Sequence, residues 1–327
     1  GLAELASHAQ AVTTEFENVP AEALARLAAQ RFVAPGAAAV AIAQDRALEK
    51  EHFTRCGVPC APHAVIVSEE ALAAVDDDLL PGILKTARLG YDGKGQARVA
   101  SRAELRQAWE QLGRAPCVLE KLLPLAFECS VVVARGSDGG MVNLPVQRNL
   151  HRDGILAVTE VFDGCVAPDL ARRAVEATRA VARGLDYVGV LCVEFFGLAD
   201  GALVVNEMAP RPHNSGHWSM DAADVSQFEL QVRTLAGLPL VQPRQHSPAI
   251  MLNLLGDLWF RDGDGGAERA PHWAAVLALP GTHLHLYGKL SARAGRKMGH
   301  LTVTGASPEQ VRATALRCSE LLGLAPF

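Results

Sequence analysis

The sequence predicts a mixed α+β protein of two or three domains, and three observations support this. The chain has 327 residues and is 49% hydrophobic, which suffices for a sizeable core. Apolar residues recur at helical spacing over residues 169–186, which predicts a long amphipathic helix. Two runs rich in β-branched residues, at 190–196 and 202–208, flank Asp200-Gly201, a strong signal for a two-residue hairpin turn.

Along the chain, short strand-like runs alternate with helical segments. Besides the two hairpin strands, the predicted strands are residues 10–17, 63–67, 82–85, 97–100, 117–120, 128–134, 141–147, 155–162, 250–255 and 283–287. The predicted helices are residues 20–30 with Pro20 in the first turn, 45–56, a segment from about 102, then 169–186, 225–236 and 308–322. Turn residues at 57–59 and 136–140 separate neighbouring elements.

Composition excludes several classes of protein. With 31 basic and 36 acidic residues the net charge is −5, which argues against a nucleic-acid protein held by phosphate neutralisation. No run of 18 apolar residues occurs, so we expect no membrane span. The seven scattered cysteines favour reduced thiols and a cytoplasmic protein. The chain opens on Gly1 without a signal peptide, and we expect it to begin within a domain.

Two glutamates of the predicted hairpin form a candidate metal site. A two-residue turn pairs residue 199 with 202, 196 with 205, and Glu194 with Glu207. The two Cβ atoms would then lie about 5 Å apart on one face, where like charges are destabilising unless a cation lies between them. Hard oxygen ligands at this spacing suit Mg²⁺. The alternative is an edge hairpin with two solvated glutamates.

The segment after Glu207 is a proline- and glycine-containing loop, residues 208–218, with many polar side chains. Arg211 can bind an anion through its forked guanidinium, and His213 and Asn214 supply further donors. Five such polar groups fall within residues 211–217. Directly after a candidate metal ligand, this concentration predicts a functional loop.

Three further segments are candidate phosphate or nucleotide contacts. The glycine-rich loop 90–96 joins two strands, and it lacks the Ser or Thr that follows Gly-Lys in a phosphate loop at a helix N-terminus. Its backbone N–H groups and Lys94 could nevertheless bind phosphate oxygens. The alternative is an ordinary glycine-rich turn. Lys85 lies at the end of the strand before this loop, and it is either a phosphate contact or a solvated surface lysine. The strand end at 120–123 breaks at Pro124, which predicts free backbone groups for a purine edge. Four cations within residues 289–297 predict an anion site or a solvated basic loop.

The order of these motifs resembles the ATP-grasp ligases, and in detail the 5-(carboxyamino)imidazole ribonucleotide synthase family of purine biosynthesis. The matching motifs cover nearly the whole chain and are residues 85–96, 149–155, 187–190, 206–218 and 295–300. The resemblance implies an α+β ATP-grasp fold with a truncated Rossmann-like pre-ATP-grasp domain and a small C-terminal domain. The implied boundaries are 1–45 for the remnant, 46–240 for the ATP-grasp domain with a lid at about 60–125, and 245–327 for the C-terminal domain.

The resemblance also implies residue roles. The implied ATP-binding residues are Arg46, Lys85, Gly90, Tyr91, Asp92, Gly93, Lys94, Gly95, Gln96, Glu120, Lys121, Leu122, Leu123, Glu128, His151, Asn206 and Glu207. Glu194 and Glu207 would bind Mg²⁺, whereas the predicted hairpin turns Asn206 to the opposite face from Glu207. The implied catalytic residues are Arg211, His213, Asn214 and Lys289, and those for the ribonucleotide are Lys289, Arg296 and Arg211.

The implied reaction is ATP-driven carboxylation of the amine of 5-aminoimidazole ribonucleotide by bicarbonate, through carboxyphosphate, in a cytoplasmic homodimer whose other partners are small molecules. The alternatives are another ATP-grasp carboxylase or formate-dependent ligase, or a nucleotide-binding remnant without turnover. The family's N-terminal strand–helix–strand unit with its Gly-Gln-Leu-Gly turn is missing here. We therefore expect ATP binding to survive better than ligase turnover.

Overall fold

The structure is a computed structural model, and it describes residues 1–90, 95–260 and 266–327. Four predicted nucleotide contacts, Tyr91, Asp92, Gly93 and Lys94, lie outside the described residues. Among the described helices none combines the length and apolarity that crossing a membrane requires.

The elements follow the predicted alternation. The α-helices of the described residues are α1 (Leu2–His8), α2 (Ala21–Ala28), α3 (Ala37–Ala43), α4 (Arg46–Arg55), α5 (Glu69–Ala73), α6 (Arg102–Gln111), α7 (Pro168–Gly184), α8 (Ser219–Ala222), α9 (Gln227–Leu235), α10 (Trp273–Leu277) and α11 (Pro308–Leu322). The strands are β1 (Ala11–Val12), β2 (Phe32–Val33), β3 (His63–Ile66), β4 (Gly82–Thr86), β5 (Gln96–Val99), β6 (Cys117–Lys121), β7 (Leu125–Arg135), β8 (Met141–Asn143), β9 (Gln147–Arg152), β10 (Ile155–Val161), β11 (Gly189–Leu198), β12 (Leu203–Ala209), β13 (Ala249–Leu255), β14 (Thr282–Leu286) and β15 (Lys297–Thr304).

A large antiparallel sheet forms the centre of the molecule, in the order β12-β11-β7-β9-β10-β13-β15-β14, with β8 paired to β7. Strand β11 is buried on both faces, so its apolar residues run almost without interruption. Leu191 and Val193 pack on the face covered by α7, and Val190 and Cys192 on the face covered by α9. Because β13 pairs with β10, the C-terminal strands extend this same sheet.

A separate sheet, in the order β3-β6-β4-β5, lies within the predicted lid segment 60–125, and this sheet is called the lid below. Its core is built from Leu84, Leu105, Trp109 and Leu119, which come from β4, β6 and the covering helix α6. The N-terminal β1 and β2 pair in parallel across α2.

The hairpin β11–β12 has the predicted metal-site pair but not the predicted register throughout. Glu194 is paired with Glu207, as predicted. The turn has three residues, 199–201, with Gly201 at φ 82°, so Phe196 pairs with Val204 and not with residue 205. A bulge at Asn206 absorbs the extra residue and restores the register before Glu207.

Other differences have local causes. Of the predicted strand 10–17 only Ala11–Val12 pairs, and the predicted strand 141–147 is divided between β8 and the start of β9. Strand β15 was not predicted, because its basic N-terminal end, with Lys297, continues a run of charged residues. The helix predicted at 308–322 is confirmed, with Ser307 capping its first turn.

Candidate active site

Two adjoining cavities meet at the glutamate pair. The loop-side cavity, of about 150 Å³, lies against residues 208–214, and the lid-side cavity, of about 430 Å³, lies between β4, β5 and β12. Five residues line both cavities: Arg46, His151, Gly154, Glu194 and Glu207. A group bound in one cavity would therefore meet a group bound in the other at the wall that these five residues form.

The two glutamates differ in charge state although they are cross-strand neighbours. Burial and the neighbouring Glu207 raise the pKa of Glu194 to about 7. Burial acts upward on Glu207 as well, but Arg46 and Lys85 hold the pKa of Glu207 below its ordinary value. The guanidinium of Arg46 lies 3.0 Å from Glu207 Oε2. The pair thus avoids two adjacent unscreened charges.

The donor set at this pair fits a hard divalent cation. Glu194 Oε1 and Asn206 Oδ1 are buried and have no hydrogen-bond partner among the described residues. The bulge at Asn206 places this residue on the wall of the lid-side cavity with Glu207, which corrects the prediction that it faces away. Carboxylate and amide oxygens are the ligands that Mg²⁺ accepts, so Glu194, Glu207 and Asn206 could hold it.

The lid-side cavity brings together most of the predicted nucleotide contacts within the described chain. They are Arg46, Lys85, Gln96, Glu128, His151, Asn206 and Glu207. The imidazole of His151 is hydrogen-bonded to the Glu128 carboxylate. Burial acts downward on the pKa of His151, but Glu128 and Glu194 outweigh it and raise that pKa. A histidine whose protonated form is favoured by these carboxylates suits a phosphate-rich ligand.

The predicted purine contact at 120–123 lies outside both cavity walls. The N–H groups of Lys121 and Leu122 already donate to the carbonyls of Pro62 and Pro81, so the prediction of free backbone groups is wrong for these two. The Leu123 N–H has no partner among the described residues. The backbone groups of this segment that could still bind a purine are therefore the Leu123 N–H and the neighbouring carbonyls.

The buried carboxylate of Glu120 lies between two lysines. Its Oε2 is 2.8 Å from Lys85 Nζ, and its Oε1 is 3.0 Å from Lys50 Nζ. Burial alone would raise the pKa of Glu120, but Lys85 and Lys50 lower it to about 2. Because Lys50 belongs to α4 and the other two to the lid, this ion-pair triad joins the lid to the body.

The glycine loop is described only at its ends. Gly90 lines the loop-side cavity, and Gly95 has φ 70°, a backbone conformation that favours glycine. The carbonyl of Gly95 accepts a hydrogen bond from the Thr86 N–H, which closes the base of the loop.

The polar loop supplies the loop-side cavity. Arg211, His213 and Asn214 all line it, and Arg211 forms an ion pair with Glu17. Both polar atoms of the Asn214 amide are buried and have no partner among the described residues. Burial and then Arg211 hold the pKa of His213 well below its ordinary value, so the imidazole is neutral. The polar loop thus offers this cavity the Arg211 guanidinium and the uncommitted amide of Asn214.

The basic segment is placed differently from the prediction. Lys289 Nζ donates to the carbonyl of Lys297, and Arg296 Nη1 donates to the Ser291 carbonyl at 2.9 Å. Neither side chain lines either cavity. Lys297, which was noted only as one of four cations, lines the loop-side cavity.

Glu49 was also missed by sequence reasoning. It lines the loop-side cavity, it is buried, and its Oε1 accepts the Met208 N–H at 2.6 Å. Burial and then Glu207 raise the pKa of Glu49 to about 8. The sequence does not indicate that Glu49 is buried, because a charged residue in a helix is buried only when partners far along the chain compensate its charge.

One histidine-rich cluster lies beside the loop. Asp221, His285 and His300 each place a possible ligand atom within 4.8 Å of the others. However, the rings of His285 and His300 stack at 14° with centroids 4.5 Å apart. Nearly parallel rings direct their lone pairs side by side and not toward one point, and His285 Nε2 lies 3.0 Å from Asp221 Oδ2, so this cluster is a stacked and hydrogen-bonded contact that joins α8 to β14 and β15.

Comparison with known protein families covers most of the chain. Residues 51–228 match the ATP-grasp domain, 249–314 match the phosphoribosylaminoimidazole carboxylase C-terminal domain, and 1–44 match the ribonucleotide synthetase preATP-grasp domain. The large sheet and the lid thus fall mainly within the first match, and β13 to β15 within the second.

Individual relatives give the same result. The N5-carboxyaminoimidazole ribonucleotide synthase of Brucella melitensis is 44% identical, over 92% of this chain and 81% of that protein. The synthase of Pseudomonas aeruginosa is 40% identical, over 98% of this chain and 85% of that protein. The crystal structure of the Thermus thermophilus synthetase superposes with a TM-score of 0.89 at 36% identity, covering 100% of this chain and 85% of that one. The crystal structure of the Aspergillus clavatus synthase in complex with ADP and 5-aminoimidazole ribonucleotide has a TM-score of 0.87 at 29% identity. It covers 99% of this chain and 84% of that one. With the ATP-grasp domain matched and the relatives aligned over most of their length, this chain belongs to the N5-carboxyaminoimidazole ribonucleotide synthase family of ATP-grasp proteins.

Proposed function

We propose that this protein uses ATP to carboxylate the amine of 5-aminoimidazole ribonucleotide, giving N5-carboxyaminoimidazole ribonucleotide, ADP and phosphate. Bicarbonate is the carbon source, and carboxyphosphate is the intermediate. The observation that carries this proposal is the pair of cavities that share the wall formed by Glu194 and Glu207. One cavity takes the nucleotide, and the other takes the small anion and the amine.

The lid-side cavity suits the nucleotide. Lys85 and Arg46 supply cationic groups for phosphate oxygens, and the adjoining lid sheet can cover the adenine side. Glu194, Glu207 and Asn206 would hold Mg²⁺, which supplies neutralisation of the charge that develops on the phosphate oxygens. The γ-phosphoryl group would then lie at the shared wall, where it faces the loop-side cavity.

The loop-side cavity suits bicarbonate and the carboxyphosphate formed from it. Arg211 can bind two oxygens of a planar anion, and the uncommitted amide of Asn214 can donate to a third. Lys297 adds a second cation on the side toward the C-terminal strands. Because the His213 imidazole is neutral, the groups of this side that orient the anion are the Arg211 guanidinium, which is also paired with Glu17, and Lys297.

In the proposed reaction a bicarbonate oxygen attacks the γ-phosphorus and ADP departs. The ribonucleotide amine then attacks the carboxyl carbon, phosphate leaves, and the amine loses a proton. The protein residues act by positioning and charge, and no side-chain nucleophile is required. Closure of the lid over the cavities would keep water from the carboxyphosphate.

A coupled assay tests this function. We expect ADP release from the full chain to require both bicarbonate and 5-aminoimidazole ribonucleotide for its full rate, with one ribonucleotide consumed for each ADP. Formate in place of bicarbonate should give no product. Product formation with formate, or ADP release that ignores the ribonucleotide, would contradict the proposal. Calorimetry with Mg-ATP run in parallel reports whether the nucleotide binds independently of turnover.

A further inference from the structure

We infer that Gln227 is a positioning residue that fixes the anion-binding loop, residues 211–218, for the carboxylation step. The inference rests on the proposed function and deepens it. Gln227 is the first residue of α9, and its relative exposure is 0%. It lines neither cavity, so its side chain acts on the loop and not on a substrate.

The amide of Gln227 makes a two-way pair with the backbone of His213. The His213 N–H donates to Gln227 Oε1 at 2.9 Å, and Gln227 Nε2 donates to the His213 carbonyl at 2.8 Å. This is the hydrogen-bond pattern of a strand partner, supplied by a side chain. It fixes the peptide units on both sides of His213, and Asn214 follows directly.

A second set of contacts fixes the far end of the loop. Gln227 Nε2 also lies 2.9 Å from Nδ1 of His217. The Gln227 backbone N–H donates to the Ser219 hydroxyl at 3.1 Å, and that hydroxyl donates to the Gly216 carbonyl at 2.6 Å. One residue therefore holds the loop at His213 and at His217, and the loop contains the three predicted anion contacts Arg211, His213 and Asn214.

The close approach of Gly216 gives an independent way to disturb this contact. A Cβ atom added at Gly216 would lie 2.5 Å from Gln227 Oε1 and 2.8 Å from its Cδ. No substituted side chain fits there unless the Gln227 amide moves. Gly216→Ala should therefore displace the same amide without changing any group that contacts a substrate.

The expected consequence is a loss of coupling between the two half-reactions. A loop that shifts by a fraction of an ångström holds bicarbonate and carboxyphosphate less well, whereas the nucleotide cavity is unchanged. We expect Gln227→Leu and Gly216→Ala to raise KM for bicarbonate roughly tenfold or more. We also expect more ADP released per ribonucleotide consumed, with KM for ATP changed less than about twofold, a split that a general loss of stability would not produce.

The same helix offers a matched control. Gln231, one turn along α9, is also buried, but its amide binds the Val190 N–H at 2.7 Å and the Thr13 hydroxyl at 2.8 Å. Gln231→Leu removes an equivalent amide from the same helix and should lower the melting temperature while leaving coupling and the bicarbonate KM unchanged. If Gln231→Leu uncouples the reaction as strongly, the loop-specific role is wrong.

The decisive comparison uses Gln227→Leu, Gln227→Glu and Gly216→Ala beside the wild type. Gln227→Glu keeps an acceptor for the His213 N–H, but its second carboxylate oxygen would face the His213 carbonyl and its charge would be buried, so this variant should be impaired at least as much as Gln227→Leu. Wild-type KM and coupling in folded Gly216→Ala and Gln227→Glu would overturn the inference, even if Gln227→Leu does not fold. A wild type without ribonucleotide-dependent ADP release would instead refute the proposed function.

Discussion

Replacing Glu120 with glutamine should destabilise the lid through charge alone. Glutamine has nearly the same shape as glutamate, so packing is preserved. The substitution leaves the ammonium groups of Lys50 and Lys85, now 3.0 and 2.8 Å from a neutral amide, without their shared counter-charge. Lys50 has only 1% of its side chain exposed, so water cannot replace the carboxylate.

The magnitude follows from the pKa of Glu120. The lysines lower this pKa from 4.5 to about 2, and the difference corresponds to about 3 kcal/mol of interaction in favour of the charged form. This value agrees with the cost of about 3 to 5 kcal/mol that removal of one partner from a buried ion pair has in other proteins. We therefore expect Glu120→Gln to lower the free energy of unfolding of the lid by about 3 kcal/mol at pH 7.

Amide hydrogen exchange of β4 and β6 measures this directly, because it reports the opening free energy of the lid sheet separately from the body. A control is Glu110→Gln on α6, which breaks an exposed pair with Arg114 in the turn after that helix and should cost less than about 1 kcal/mol. Adding Lys50→Met to Glu120→Gln should recover part of the loss, since one uncompensated charge is then removed.

The pH dependence has a definite sign. The pKa of Glu120 is lower in the folded protein, so its contribution is complete above 4.5 and is lost as the pH falls toward about 2. The difference between wild type and Glu120→Gln should therefore shrink between pH 5 and pH 3. A difference below about 1 kcal/mol at pH 7, or one that stays constant over this range, would refute the reasoning.

Three further outcomes are expected. Glu194→Gln and Glu207→Gln should each reduce Mg-ATP turnover by at least about a hundredfold in a phosphate-release assay, while calorimetry should show little change in the melting temperature. Turnover within about tenfold of wild type would exclude a metal-binding role for these glutamates. Lys297→Met should raise KM for the ribonucleotide or bicarbonate more than Lys289→Met does, because only Lys297 lines a cavity; the reverse order in steady-state kinetics would favour the motif-based assignment. Burial, then Arg211 and Lys297, lower the pKa of His217 to about 3, so stability should fall as the pH drops below 6.5, where the unfolded chain takes up the proton. His217→Asn should flatten that fall by up to about 1 kcal/mol per pH unit in urea unfolding, and an unchanged slope would contradict it.

Local patterns in the sequence predicted the hairpin and its cross-strand glutamate pair. The β-branched runs and the Asp200-Gly201 turn signal predict two antiparallel strands, and Glu194 does lie opposite Glu207. The turn length was wrong by one residue, and a bulge at Asn206 compensated for it. Turn residues do not determine whether two or three residues form the loop, because Gly201 can adopt a positive φ in either case.

Residues that act through distant partners could not be placed in the same way. Lys297 and Lys289 belong to one basic run, and only the pairing of β15 with β13 and β14 decides which of them lines the cavity. The N–H groups of Lys121 and Leu122 looked free at a strand end, but their partners are carbonyls of Pro62 and Pro81, which the lid brings beside them. Such contacts depend on tertiary structure that no local pattern encodes.

Helix α4 shows the physical reason most clearly. Its polar residues Arg46, Glu49 and Lys50 lie at helical spacing on one face, a pattern that ordinarily indicates a solvated surface. In the structure Arg46 binds the Glu207 carboxylate, Glu49 accepts the Met208 N–H, and Lys50 binds the lid carboxylate at 120. Arg46 and Lys50 are tolerated in the interior as charges because their partners lie more than 60 residues away in the sequence, whereas Glu49, whose pKa is raised to about 8, is held by a backbone N–H. A single helix face thus links the glutamate pair, the polar loop and the lid, so a neutral substitution at Arg46 or Lys50 should disturb the site through the carboxylate that is left uncompensated.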